Sequence, residues 1–190
     1  MSTTPPAPKV ANPGPLGLLG FGMTTVLLNL HNANIIGLSI VIVAMGLALG
    51  GAAQLVAGIT ELRLGNTFAG TAFTAYGFFW WSLVLIWANP FQGGKIVAAD
   101  GTAVGYYLLL WGIFTLFMFF GTLTHNRITQ IVFGSLAALF FLLAAGDFTG
   151  NKSITVFAGY LGIFCGLSAM YSAVGQIVHE EHKKKFFPLI

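Results

Sequence analysis

Residues 12–34 read Asn-Pro-Gly-Pro-Leu-Gly-Leu-Leu-Gly-Phe-Gly-Met-Thr-Thr-Val-Leu-Leu-Asn-Leu-His-Asn-Ala-Asn. Pro13 and Pro15 suit a first helical turn, where a missing backbone N–H removes no bond. The apolar run after them stops at His31, Asn32 and Asn34. Four-residue spacing puts Phe21, Thr25 and Asn29 on one helix face. A helix that merely crossed lipid would have no use for a hydroxyl and an amide in register, so the stretch predicts a membrane helix that lines something.

The rest of the chain sets that helix among others. Of 190 residues 56% are hydrophobic and 7% charged, against about 25% charged in soluble domains. No charged residue occurs in 10–60, 64–94, 101–126, 128–146 or 153–179. A span needs roughly 20 residues, and the first interval is long enough for two. Six helices are therefore expected, at about 16–31, 35–61, 67–89, 103–122, 128–146 and 153–178. A closed barrel, the other way to satisfy backbone in lipid, would read as short alternating segments, which are absent.

The expected domain is 16–178, with a disordered tail at 1–15 and a basic tail at 179–190. With six spans both termini share a side. That side collects Lys9, Arg63, Arg127 and Lys183 to Lys185, against Lys95 and Lys152 opposite, so the positive-inside rule puts both termini in the cytoplasm. The lysine run reads as an anchor at the lipid surface. The basic balance needs no nucleic acid to explain it.

Short sequences recur at half-chain distance. His31-Asn32 matches His125-Asn126, and Glu61 followed by Gly65-Asn66 matches Asp147 followed by Gly150-Asn151. Two three-helix units in tandem enter the membrane in opposite senses, so the echo points to a 3+3 inverted repeat with a transport site between the halves. Small residues at packing spacing, Gly46 and Gly50, then Ala158, Gly162 and Gly166, allow close helix approach within the bundle or between subunits.

The spans hold neutral polarity and little else polar. Thr67, Thr71 and Thr74, then Ser168, Ser172 and Gln176, add two further stripes, and Gln54 stands alone deep in the second span. Mid-depth charge marks ion and proton paths, and its absence argues against a pump, a redox carrier or a voltage sensor. Cys165 is the single cysteine, which excludes a disulfide or a multi-cysteine metal site. His31 and His125 have no nucleophile at helical spacing and no carboxylates pair on a face. The expectation is a non-enzyme without metal or cofactor, its narrow path suited to a small solute.

Several blocks resemble a known family. Asn12-Pro13-Gly14-Pro15-Leu16-Gly17-Leu18, Phe21 to Thr25, Leu28 to Asn32, Gly65 to Phe68, Thr71 to Thr74 with Tyr76-Gly77, and Phe114 to Thr122 are similar to motifs of the acetate uptake transporters, the YaaH or succinate-acetate permease family. Gly14 stands where that signature has alanine. The resemblance implies an all-α polytopic protomer of six helices in a hexameric ring, and uptake of acetate, related monocarboxylates and succinate, described as proton-coupled, across the cell membrane. It also implies a hydrophobic constriction at Phe21, Tyr76 and, through Phe133-Gly134-Ser135-Leu136, Leu136. On that reading Thr25, Asn29, Asn66 and Asn151 solvate the carboxylate on either side of the constriction. Tyr76 sits about 180° from Thr67 on a helix, so the threonine stripe and Tyr76 cannot both face the path. A urea or amide channel of the same architecture is the alternative function.

Overall fold

The computed structural model describes residues 10–91, 93, 94, 96–184, 187 and 188. Every regular element among them is helical: α1 (Gly14–Asn32), α2 (Ile40–Arg63), α3 (Thr67–Ala88), α4 (Gly101–Gly121, followed by one 3-10 turn), α5 (Arg127–Thr149) and α6 (Lys152–His182). Helices α2 to α6 are each long and apolar enough to cross a membrane. The 19-residue α1 is of similar length, but its glycines, threonines, Asn29 and His31 dilute its apolar content.

Two boundaries depart furthest from expectation. The connection after α1 continues to Ser39, so α2 begins five residues later than 35; it turns at Asn34, whose φ of 60° is a left-handed conformation that asparagine tolerates. At the other end α6 runs on to His182, past the expected end at 178. Of the expected tail at 1–15, residues 1–9, with Lys9, lie outside the described residues, as do Lys95 and Lys185, while Gly14 and Pro15 already belong to α1.

The recurring Gly-Asn pairs are helix punctuation. Gly65 and Gly150 have φ of +80° and +63°, which ends a helix at no Cβ cost. The next residue then caps the following helix: Asn66 Oδ1 accepts from Ala69 N at 3.2 Å and Asn151 Oδ1 from Ser153 N at 3.0 Å. Asp100 and Asn126 cap α4 and α5 in the same way.

Inside α2, residues Gly46–Ala53 wind as wider π-type turns. Two carbonyls of this segment accept from side chains: Trp81 Nε1 donates to Leu47 O at 3.0 Å, and Gln54 Nε2 donates to Gly50 O at 2.7 Å. A Cβ on Gly50 would stand 2.6 Å from Trp80 Cγ, and one on Gly51 would meet the Trp81 ring. The small residues at 46 and 50 are thus filled by Trp80 and Val84 of the same protomer.

Helix α1 packs against α6 and α2, α2 against α3, α4 against α5, and α5 against α6. Backbones of α1 and α6 nearly touch: a Cβ on Gly22 would lie 2.7 Å from Gly166 O, and one on Gly162 would coincide with the Asn29 amide. Helices α3 and α4 meet through rings instead. Phe79 stacks on Tyr107 (centroids 5.7 Å apart, 15°) and stands edge-on to Trp111 at 5.2 Å.

Candidate functional site

Three spaces that share lining residues follow one another between the helices. A vestibule of about 250 Å³ lies at the end shared by the start of α1 and the end of α6, lined by Asn12, Glu61, Asn66, Phe68, His125 and Gln176 among others. Leu18, Ala72, Phe73 and Phe133 line both the vestibule and a first chamber of about 20 Å³. Beyond it lies a second chamber of about 30 Å³, with Thr25 and Asn29 in its wall. A single water needs roughly 10–15 Å³ on this measure. Each chamber therefore has room for one or two waters, and the path is closed to a hydrated anion in this conformation.

The two chambers have three residues in common, Phe21, Tyr76 and Leu136. Their side chains form the septum between them and are 6%, 3% and 3% exposed. Phe21 and Tyr76 approach at 6.1 Å between ring centroids, tilted by 46°. Thr115 Oγ1 donates to Trp111 O at 2.7 Å, so the 2.9 Å contact between Tyr76 Oη and Thr115 Oγ1 has the tyrosine as donor. That bond turns the hydroxyl toward α4 and leaves the ring edge for the septum. Thr115 is a residue that sequence reasoning missed as a partner of Tyr76, although it stood within one of the family-like blocks.

Asn29 is buried in the second chamber, its Nδ2 donating to Thr25 O at 2.9 Å and its Oδ1 accepting from Asn32 Nδ2 at 3.0 Å. Asn66 belongs to the vestibule, where its Nδ2 donates to Glu61 Oε2 at 2.8 Å while its Oδ1 caps α3. Asn151 is exposed, spends its carbonyl capping α6, and lines none of the three spaces. The seven expected residues thus divide into a septum, two groups beyond it, one at the mouth, and one outside.

The faces of α3 are now distinguishable. Thr67 and Thr71 are exposed on the outside of the bundle, and Thr74 packs against Gly58 of α2. Tyr76, with Ala72 and Phe73, lines the path. The threonine stripe is therefore not the lining. A polar stripe marks a lining only if the helix has one inward face, and α3 presents apolar side chains all round.

Two buried polar atoms on the path have no hydrogen-bond partner among the described residues: Gln54 Oε1 and Trp80 Nε1. Gln54 lines the first chamber and Trp80 the second. Glu61 is also nearly buried, at 6% exposed, with its carboxylate in the vestibule.

A family model described as GPR1/FUN34/yaaH matches residues 1–189. The succinate-acetate/proton symporter SatP of Escherichia coli K12 is 52% identical over 181 residues, covering 95% of this chain and 96% of that protein. Ammonia transport outward protein 2 of Saccharomyces cerevisiae is 40% identical over 185 residues, 93% of this chain and 66% of the yeast protein. Among solved structures, that of the bacterial acetate channel SatP superimposes with a TM-score of 0.91 at 52% identity, covering 95% of this chain and 99% of the other.

Proposed function

This chain belongs to the GPR1/FUN34/yaaH family, and from that premise we propose that it is a multi-pass membrane protein carrying acetate and related short carboxylates, succinate included, in a proton-linked manner. The observation that supports this best is the septum. Phe21, Tyr76 and Leu136 separate two water-sized chambers, and a dry constriction of that kind sorts solutes by size and by hydration.

On this reading α1 is the sixth span, its polar face tolerated because α2 and α6 cover it. Both termini lie in the cytoplasm. The two halves form an inverted repeat, supported by matching neighbours (α1 with α2 and α2 with α3; α4 with α5 and α5 with α6) and by the paired Gly-Asn punctuation. Protomers assemble as a hexamer, each with its own path. Thr25 and Asn29 solvate the solute beyond the septum, and Asn66, with Glu61, receives it at the vestibule. Asn151 acts through capping α6 rather than through contact with solute.

The test is flux of labelled acetate into liposomes containing the purified protein, with and without an inward proton gradient. Uptake above that of empty liposomes, accelerated by the gradient and inhibited by propionate more than by urea, is the expected result. Inhibition by urea with indifference to propionate would favour a channel for uncharged amides.

A further inference from the structure

We propose that Thr115 is a positioning residue that keeps the septum dry by holding the Tyr76 hydroxyl out of the path, an inference that rests on the carboxylate reading above. A tyrosine is an odd component for an apolar constriction, because its ring ends in a group that a water or a solute could use. Yet the first chamber presents no polar surface, although Tyr76 stands in its wall. The hydroxyl is turned elsewhere, 2.9 Å from Thr115 Oγ1 on α4.

Thr115 is wholly buried and lines none of the three spaces, so it meets no solute itself. Its own O–H is spent on Trp111 O at 2.7 Å, which leaves its oxygen only lone pairs to offer. Tyr76 therefore donates, and the one hydrogen of the phenol is committed away from the path. Trp111 and Phe114 pack on the Tyr76 ring with centroids 5.9 and 5.7 Å away, but neither side chain has an acceptor for its O–H. The rings place the phenyl, and Thr115 aims the hydroxyl.

Without the threonine oxygen the balance changes. A buried O–H is rarely left unpaired, and each chamber beside the ring has room for one or two waters. The phenol would turn to that water, and the constriction would gain a polar foothold for solutes that carry hydroxyls of their own. Rejection of hydrated solutes at the septum thus depends on a side chain outside the path.

The experiment compares propionate with glycolate, acids with the same number of non-hydrogen atoms in which a methyl stands in place of a hydroxyl. Their entry is measured in liposomes containing the wild type, Thr115→Val, Thr115→Ser, Tyr76→Phe and the double variant Tyr76→Phe/Thr115→Val. Valine keeps the shape of threonine and removes the acceptor. Thr115→Val should raise uptake of glycolate relative to propionate by about tenfold, the effect of one neutral hydrogen bond of the stronger sort. Thr115→Ser, which keeps the oxygen, should stay near the wild-type ratio. Tyr76→Phe has no hydroxyl to aim, so adding Thr115→Val to it should not move the ratio further. A bundle that was merely loosened would pass both acids faster and leave their ratio alone.

An unchanged ratio in Thr115→Val, an equal rise in Thr115→Ser, or a rise that persists in the double variant would overturn the inference. Should Thr115→Val not fold, Tyr76→Phe decides. It should alter the two rates in common, and a shifted ratio would show that the hydroxyl already meets the solute, which overturns the inference as well. If the wild type carries no carboxylate, the reading above fails, and urea and acetamide, again equal in non-hydrogen atoms, replace the two acids. Entry of urea relative to acetamide should then rise in Thr115→Val and not in Thr115→Ser; no such rise would overturn this inference too.

Discussion

Phe21 is the septum residue whose replacement is most informative, because it stands on α1 and makes no polar bond that its loss would break. Tyr76 is anchored to Thr115, so truncating it would also free a buried hydroxyl, and Leu136 is smaller. In the core of a water-soluble protein Phe→Ala costs about 3–5 kcal/mol; within lipid the transfer part of that largely vanishes, since lipid is as apolar as the core, and lost packing remains. Phe21→Ala should therefore fold. It joins two chambers of about 20 and 30 Å³ into one wider passage. Uptake of lactate and succinate relative to acetate should then rise severalfold in competition assays. An unchanged order of preference would mean that the ring only packs.

At the level of helices, the contact between α1 and α6 is the most exacting in the bundle, and glycine makes it possible. A Cβ on Gly162 would fall on the Asn29 amide, which is itself held by Thr25 O and Asn32. Gly162→Ala should consequently displace Asn29, cost about 1–3 kcal/mol by overpacking, and lower both the melting temperature and acetate uptake. Gly37→Ala, with nothing within 4 Å of the added carbon, should change neither, and equal effects of the two substitutions would refute this account. The same helices show what was legible beforehand. Charge-free intervals located the five helices long and apolar enough to span, because charge is excluded from spans for an energetic reason, and the polar cluster at His31 to Asn34 separated α1 from α2 within the first interval. The late start of α2 at Ile40 was hidden, since 35–39 are nearly as apolar as the first turns of the helix itself, and backbone hydrogen bonds, not hydropathy, decide the start. The inward face of α3 was hidden as well. Its hydroxyls stood out against apolar neighbours, yet the face was decided by rings of α4, Trp111 and Phe114, packing on Tyr76. Gln54 was visible as an oddity, but not that its amide is held against its own helix at Gly50 O. The Gly-Asn echo was visible in the sequence as a recurrence, and its local cause, helix capping, came from the structure.

Taken as a whole the chain places the acidic, basic and histidine side chains of its described residues at or near the ends of its helices and keeps the middle to neutral groups. Glu61 and His125 stand in the vestibule, with His125 edge-on to Phe68 at 4.7 Å. His31 lies at the opposite end of α1, its Nδ1 within 3.2 Å of Ile36 O, and lines none of the three spaces. Between these ends the path offers Phe21, Tyr76, Leu136, Gln54, Thr25 and Asn29, none of which exchanges a proton near neutral pH. The small-residue faces that suggested subunit contacts are filled within the chain, Gly50 by Trp80 and Gly166 by Gly22 and Val26, so the proposed assembly would use the ring- and aliphatic-rich outer surface. Among the described residues no relay crosses the septum, so on the proposed reading a proton that accompanies acetate crosses on the substrate, having joined it at the vestibule. Leaving acetate charged there would cost several kcal/mol even after water relieves part of the penalty. Carboxyl groups of this type have a pKa a little above 4, and the neutral fraction falls about tenfold for each unit of pH above that. Uptake at fixed total acetate should accordingly rise steeply as external pH drops from 7 toward 5. Glu61→Gln and His125→Asn, which alter only the mouth, should change the rate by a few-fold and leave the slope in place, as should His31→Asn. A variant among these that still transports acetate but no longer responds to pH would show that the protein itself carries the proton, and would overturn the mechanism.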